Sequence, residues 1–334
     1  MLILGIDTSC DDTSIAVMRF NSEERRFTIM SNIISSQVKA HVEYGGIVPE
    51  IASREHLKNI RTVFSMALEE AGVRAENLDL ISVTAGPGLT GSLIVGYSFA
   101  KGLSIANKTP YITVDHIKAH TAANFMEPYK IEYPAVALTI SGGHSSLSVL
   151  DSPIGAKFIG GTIDDAVGEL FDKVARYLNL PYPGGPVLDK MSKEGELKYK
   201  LPKPLINEDN YNFSFSGLKT AVINFTKQNP DFELKHLAYS MTRSICDIFT
   251  KKIEAAAKEH KAKTILLSGG VACNSMIREA VKGLAEKKKL AVMMPPPVLC
   301  TDNGVMIAIL GALNYLYSGF KNAKNSDVYP TTRW

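Results

Sequence analysis

Leu2-Ile-Leu-Gly-Ile6, the polar turn Asp7-Thr-Ser-Cys-Asp-Asp-Thr13 and Ser14-Ile-Ala-Val-Met18 open the chain. Short apolar runs on either side of a polar turn predict two paired strands. The same pattern returns as Ala135-Val-Ala-Leu-Thr-Ile140, Ser141-Gly-Gly-His-Ser145 and Ser146-Leu-Ser-Val-Leu150. Strand, tight polar turn and strand thus occur twice, near residues 1 and 135, which predicts a duplicated unit.

Beyond each opening, strand-like and helical segments alternate. Asp79-Leu-Ile-Ser-Val-Thr84 reads as a strand that leads through Ala85-Gly-Pro-Gly-Leu-Thr-Gly-Ser92 into a helix. In the second half Leu234, Leu237, Met241, Ile245, Phe249 and Ile253 recur at helical spacing, predicting a long helix with one core-facing stripe. Strand Thr264-Ile-Leu-Leu267 follows, then the loop Ser268-Gly-Gly-Val-Ala-Cys-Asn274 and another helix. This alternation predicts an α/β fold with a largely parallel sheet in each half. A chain of 334 residues has room for two domains, and the repeat sets them at 1–132 and 133–334. Ligands of such sheets bind at loops beyond the strand ends, so the glycine loops are expected to line a central cleft.

Composition narrows the class. Hydrophobic residues at 45% and charged residues at 21% describe an ordinary globular protein. No run approaches the roughly 20 apolar residues of a membrane helix. Met1-Leu-Ile-Leu-Gly-Ile-Asp7 enters a strand directly, without the basic segment or cleavage site of a signal peptide. Cys10, Cys246, Cys273 and Cys300 lack C-x-x-C spacing and fit reduced thiols, so a cytoplasmic protein with no membrane association is expected. A net charge of +3 does not mark a nucleic-acid surface. Lys258, Lys261, Lys263 and Lys287 to Lys289 read as cations at helix C-terminal ends.

Three glycine-bearing turns, Ser141-Gly-Gly143, Ser268-Gly-Gly270 and Ala85-Gly-Pro-Gly88, would let backbone N–H groups approach a phosphate. With the acidic hairpin of Asp7, Asp11 and Asp12 they point to a nucleotide cleft. No G-x-x-x-x-G-K-[ST] occurs, and no G-x-G-x-x-G follows a strand, so P-loop and dinucleotide folds are disfavoured. What fits is the actin-like ATPase (ASKHA) fold, two duplicated RNase H-like domains around a central cleft.

His116-Ile-Lys-Ala-His120 follows the strand-like Tyr111-Ile-Thr-Val114, with Asp115 placed to cap the helix. Residues i and i+4 share one helix face, so both imidazoles can reach one metal ion. In H-E-x-x-H proteases the residue after the first histidine is the glutamate general base; here it is Ile117, which cannot take a proton. A third ligand is required, and Cys300-Thr-Asp-Asn-Gly304 is the best source, after the strand-like Leu290-Ala-Val-Met-Met294 and before a helix from Gly304 to Tyr317. Asp302 can serve there as helix N-cap, as metal ligand, or as both. His41, His56 and His144 are the alternative ligands.

Taken in order, these segments resemble the TsaD family, the tRNA threonylcarbamoyltransferases formerly called O-sialoglycoprotein endopeptidases. The resemblance spans essentially the whole chain, from Gly5-Ile-Asp-Thr-Ser-Cys-Asp11 and Tyr44-Gly-Gly-Ile-Val-Pro-Glu50 through His116-x-x-x-His120 and Ser141-Gly-Gly-His144. It continues through Phe171-Asp-Lys173, Tyr182-Pro-Gly-Gly-Pro186, Phe213-Ser-Phe-Ser-Gly-Leu-Lys219, Ser268-Gly-Gly-Val271 and Thr301-Asp-Asn-Gly304. The Ser-Gly-Gly-His form is similar to the bacterial and organellar branch.

The resemblance implies transfer of a threonylcarbamoyl group from threonylcarbamoyl-AMP to N6 of an adenosine beside the tRNA anticodon. It implies His116, His120 and Asp302 as ligands of one divalent metal ion per subunit, iron or zinc. It implies Thr139, Ile140, Ser141, Gly142, Gly143, Asp172, Gly185, Asp189 and Asn274 as substrate-binding positions, and Asp11 and Asp12 as catalytic ones. Two partners follow from it, a paralogous actin-like (TsaB-type) subunit and a small P-loop (TsaE-type) ATPase. This chain has Asp7 and Asp12 where the family more often has Glu, one methylene shorter. Thr139 stands where the archaeal branch has a tyrosine that reaches the metal, which leaves a coordination position to solvent or substrate.

Three other readings share parts of this pattern. A metal-dependent glycoprotein peptidase lacks its base at Ile117. A non-catalytic nucleotide-binding scaffold has no reason to keep a metal constellation, and a sugar kinase of the same fold should not carry two metal-binding histidines.

Overall fold

The computed structural model describes residues 1–127, 130–318 and 326–331. They form two compact units, Met1–Lys130 with Pro153–Gly155 and Asp302–Trp334, and Ile131–Ser152 with Ala156–Thr301.

In the first unit β1 (Leu2–Asp7), β2 (Asp12–Asn21), β3 (Arg26–Ser36), β4 (Leu80–Gly86) and β5 (Tyr111–Asp115) make one sheet of order β3-β2-β1-β4-β5. The opening motif is the antiparallel pair β1–β2, with Gly5 opposite Ala16 and Asp7 opposite Ser14. Helices α1 (Val38–His41), α2 (Pro49–Ala71), α3 (Thr90–Asn107) and α4 (His116–Ala122) belong to this unit. Ile60, Val63 and Ala67, at helical spacing on α2, pack with Leu4, Ile6, Ile15 and Val17 in one apolar cluster.

In the second unit β6 (Ala135–Ile140), β7 (Ser145–Leu150), β8 (Ala156–Gly161), β9 (Thr264–Ser268) and β10 (Ala291–Met293) run in the order β10-β9-β6-β7-β8. Read from the other edge this is the strand order of the first sheet. In both, the first strand pairs antiparallel with its hairpin partner and parallel with the fourth strand. Each sheet is therefore mixed rather than largely parallel, because tight turns join neighbouring strands only in antiparallel sense. Helices α5 (Val167–Tyr177), α6 (Gly184–Ser192), α7 (Ser216–Gln228), α8 (Leu234–Glu259) and α9 (Ser275–Lys288) complete this unit. The α8 stripe is core: Leu237, Met241, Ile245, Phe249 and Ile253 are all buried. Lys258 lies in the last turn of α8 and Lys287 and Lys288 in that of α9, where cations meet the helix dipole favourably.

The domain boundary at 132/133 needs one correction. Residues from Asp302 onward, including the last helix α10 (Gly304–Ser318), return to the first unit rather than completing the second. The reason is local. Val305 to Leu313 of α10 are buried nearly all round, and two glycines let the helix start rest directly on β1. A Cβ on Gly5 would sit 2.0 Å from the Gly304 carbonyl oxygen, so only glycine permits this approach. The Gly304 N–H donates to Ser14 Oγ at 2.7 Å, tying the helix start to β2. No helix among the described residues is long and apolar enough to cross a membrane.

Candidate metal centre

Strand β5 leads into the helix that carries the first two candidate ligands. Asp115 ends it and caps α4, its Oδ1 accepting from the Lys118 N–H at 2.9 Å. The cap sets the direction of a helix whose first and fifth residues are His116 and His120, both buried. The other carboxyl oxygen of Asp115 accepts from Tyr329 Oη at 2.9 Å, so the far end of the chain also braces this junction.

Asp302 is the third candidate ligand. The capping of α10 falls to Asn303, whose Oδ1 accepts from the Met306 N–H at 2.9 Å. The Asp302 carboxylate is thereby left to the histidines: Oδ1 lies 3.2 Å from His120 Nε2 and 3.5 Å from His116 Nε2. Ligands about 2.0–2.1 Å from one ion in tetrahedral array stand about 3.3–3.4 Å apart, which matches both distances. The three ligating atoms lie within 4.8 Å of one another.

The surroundings call for a cation. His120 is fully buried, yet neither ring nitrogen makes a hydrogen bond. A buried polar atom without a partner is costly, and a metal ion would relieve it. His116 Nδ1 lies 3.1 Å from Ser9 Oγ and 3.4 Å from Asp7 Oδ2, which orients the ring with Nε2 toward Asp302. A carboxylate behind a histidine is a common means of aiming a metal ligand. Burial opposes the His116 imidazolium, but Asp302 and Asp7 outweigh it and hold its pKa well above the usual range. Burial likewise works against the Asp302 carboxylate, and His116 and His120 overcome it to hold that pKa well below its usual range. The carboxylates of Asp302 and Asp7 thus favour positive charge at His116.

The turn between β1 and β2 adds two more acids. Burial, then the charge of Asp302, raises the Asp11 carboxyl. Burial also raises Asp12, to about 6, with Asp11 and Asp302 adding to the effect and Ser36 opposing it. Asp12 Oδ1 is buried without a hydrogen-bond partner. Of the alternative histidines, His41 and His56 have their rings engaged elsewhere. His41 meets Gln37 Oε1 through Nε2 at 3.3 Å and accepts from the Val48 N–H through Nδ1 at 3.3 Å. His56 meets Thr13 and Cys10. His144 belongs to the second unit, where its carbonyl accepts from the Ser141 N–H at 2.8 Å and closes the turn.

The other expected residues lie in the second unit. Thr139 Oγ1 pairs with Ser268 Oγ at 3.2 Å, while the Ile140 side chain is buried in the core and leaves only its main chain to the turn. Gly142 and Gly143 follow, and a Cβ on either would meet open space. Asp172 Oδ1 accepts from the Gly184 N–H at 2.8 Å and so anchors the start of α6, where a Cβ on Gly185 would also find no neighbour. Burial raises the Asp172 carboxyl above its usual range. Asp189 Oδ1 accepts from the N–H and Oγ of Ser275 at 3.0 and 2.9 Å. Asn274 caps α9 through Oδ1, accepting from the Ile277 N–H at 3.1 Å, so both residues already carry structural bonds.

Ser9, Asn303 and Tyr329 escaped the sequence reading. Ser9 adjoins the acidic hairpin, and Asn303 follows Asp302 immediately before a helix, a usual capping place. Tyr329 offers no local signal, since its partner lies 214 residues away.

Fold and site together define a mixed α/β protein with a cluster of two histidines and one aspartate in its first unit that could hold a metal ion. The TsaD family model, tRNA N6-adenosine threonylcarbamoyltransferase, matches residues 28–309. The tRNA N6-adenosine threonylcarbamoyltransferase of Fusobacterium nucleatum is 48% identical over 330 residues, 97% of this chain and 93% of that protein. That of Thermosipho africanus is 45% identical over 332 residues, covering 98% and 97%. Component A of the Acidaminococcus fermentans (R)-2-hydroxyglutaryl-CoA dehydratase shares the fold, with a TM-score of 0.59 at 12% identity over 95% of this chain and 99% of that one. The chain belongs to the TsaD family.

Proposed function

We propose that this chain transfers the threonylcarbamoyl group of threonylcarbamoyl-AMP to N6 of the adenosine next to the anticodon in tRNAs that read codons beginning with A. Family membership supports the reaction, and the shared strand order of the two sheets supports an actin-like (ASKHA) architecture of two duplicated RNase H-like domains. The observation that carries the site assignment is the buried His120, whose ring nitrogens make no hydrogen bond, facing Asp302 beside His116. These three residues hold one divalent ion, iron or zinc. Such an ion supplies Lewis-acid polarisation of a bound oxygen or a template that orients the ligand.

The remaining roles fall to the chain's own groups. Gly142, Gly143 and Gly185 face open space without a left-handed backbone, so neither packing nor strain demands glycine there, and close approach of a ligand does. They and Ser141 cradle the adenylate, with Thr139, Ile140, Asp172, Asp189 and Asn274 shaping and supporting the cradle. Asn274 keeps its amide N–H groups for ligand, and Asp189 acts through Ser275. Asp12, with a carboxyl pushed up to about 6, is suited to hold or accept a proton near neutral pH, and Asp11 lies beside it. The exocyclic amine of adenine is a weak nucleophile and gains most from positioning. Ile117 is buried and aliphatic, which disfavours the glycoprotein-peptidase reading.

A tRNA presents many phosphates, yet 37 Lys and Arg face 34 Asp and Glu in this chain. That balance supports work in a cytoplasmic complex with a paralogous actin-like (TsaB-type) subunit and a small P-loop (TsaE-type) ATPase. The test is tRNA modification with purified chain, threonylcarbamoyl-AMP and tRNA, with and without the two partners. His116→Ala should lose bound metal and more than about 100-fold of activity while circular dichroism stays unchanged. Full metal content with wild-type activity would overturn the site.

A further inference from the structure

His56 lies on α2, far from the metal-ligating residues in sequence, and its side chain is fully buried. Its ring reaches both ends of the turn that carries Asp11 and Asp12. Nε2 lies 3.0 Å from the Cys10 carbonyl oxygen, and Nδ1 lies 2.8 Å from Thr13 Oγ1. These contacts fix the tautomer. A carbonyl oxygen only accepts, so Nε2 carries the proton; Nδ1 is then bare and accepts from the Thr13 hydroxyl. Burial lowers the His56 pKa, which keeps the ring neutral in this arrangement.

The turn has other ties, each at a single point: Thr8 Oγ1 donates to the Ser92 carbonyl at 2.8 Å, and Ser9 Oγ lies 3.1 Å from His116 Nδ1. Leu89 N–H donates to the Ser9 carbonyl at 2.8 Å, and Gln37 N–H to that of Asp11 at 2.9 Å. His56 alone, among the described residues, joins Cys10 and Thr13, the residues flanking the two acids. Asp11 and Asp12 are therefore held between two bonds to one rigid ring, itself seated on a helix of 23 residues. The Gln37 Nε2 donates to the Ala52 carbonyl of the same helix at 3.3 Å, so the next segment is braced against α2 as well.

We infer that His56 is a positioning residue for threonylcarbamoyl transfer: it clamps the turn and so fixes the carboxyl groups of Asp11 and Asp12, without touching substrate itself. The inference rests on the proposed function, in which those two acids serve the transfer centre. Misplacing a reacting group by about 1 Å can cost about 100-fold in rate, so a loosened clamp should appear in kcat.

Three variants and one spectrum test this in the full chain with its partners. His56→Phe fills the space and removes both bonds; His56→Gln retains a donor for the Cys10 carbonyl; His56→Asn retains an acceptor for Thr13. Expected is a kcat loss of about 100-fold in His56→Phe, with KM for threonylcarbamoyl-AMP and bound metal unchanged. Partial recovery in His56→Gln or His56→Asn is expected too, and these two carry the test if His56→Phe does not fold. Nitrogen NMR of the wild-type imidazole should show the proton on Nε2. Undiminished kcat in His56→Phe, a loss shared by kcat, KM and metal content, no recovery in either amide variant, or a proton on Nδ1 would each overturn the inference. Wild-type protein that transfers nothing overturns the functional reading and this inference with it, an outcome distinct from active wild type with active variants.

Discussion

The two units build the same sheet and use its strand ends in opposite ways. In the first, glycine serves packing: Gly5 and Gly304 let α10 lie against β1, and Asp302 is carried to the histidines by that contact. In the second, a Cβ added to Gly142, Gly143 or Gly185 would meet nothing within 4 Å. At the first unit's hairpin stand three acids, the buried Asp7 and the half-buried Asp11 and Asp12, whereas the second unit's turn holds Ser141, two glycines and His144. Strand order thus says little about chemistry, which resides in the side chains set on the common frame.

The comparison can be broken most forcefully at Gly5. Gly5→Ala should cost about 1–3 kcal/mol or more, because the new Cβ meets backbone that cannot move aside. It should also lower metal content by displacing Asp302. A thermal melt and metal analysis check this, and a variant with normal metal content would separate the packing from the site.

Ser9→Ala sharpens the first half of the contrast. The hydroxyl is one of two groups behind His116 Nδ1, and its loss should weaken metal binding by about tenfold. Stability should hardly change, and a chelator competition titration measures the shift. Gly142→Ala probes the second half. With no neighbour to strike, it should change stability by less than about 0.5 kcal/mol. The methyl group should nonetheless raise KM for threonylcarbamoyl-AMP by roughly tenfold, about 1.4 kcal/mol of lost binding. An unaltered KM would mean that the open space is not the ligand's.

The last effect is electrostatic. A carboxyl whose folded pKa is raised binds its proton more tightly in the folded state, so ionisation costs stability. Asp12 stands at about 6. Its unfolded value is about 3.9. Metal-free wild-type protein should therefore lose stability relative to Asp12→Asn as pH rises through that window, and the gap should stay constant above it. Melting temperatures of both proteins across the range provide the check.

Much of this was legible in the chain itself. The paired openings announced two sheets because alternation and polar turns are local signals, and the α8 stripe announced a core helix because its spacing is fixed by helix geometry. His116 and His120 could be paired on one face for the same reason, and Asp115 placed as their cap. Asp302 read as cap, ligand or both, and in the folded chain Asn303 makes the capping bond. Tertiary structure alone decided that residues from 302 onward return to the first unit, since nothing local records that a helix will lie on a strand some 300 residues earlier. It alone set Ser9 and Asp7 behind His116, Tyr329 on Asp115, and His56 across the acidic turn. Local sequence determines which elements form because dihedral preference and apolar period act over a few residues. Contacts between distant residues are chosen by packing and by the need to pair buried polar groups, which belong to the folded chain as a whole.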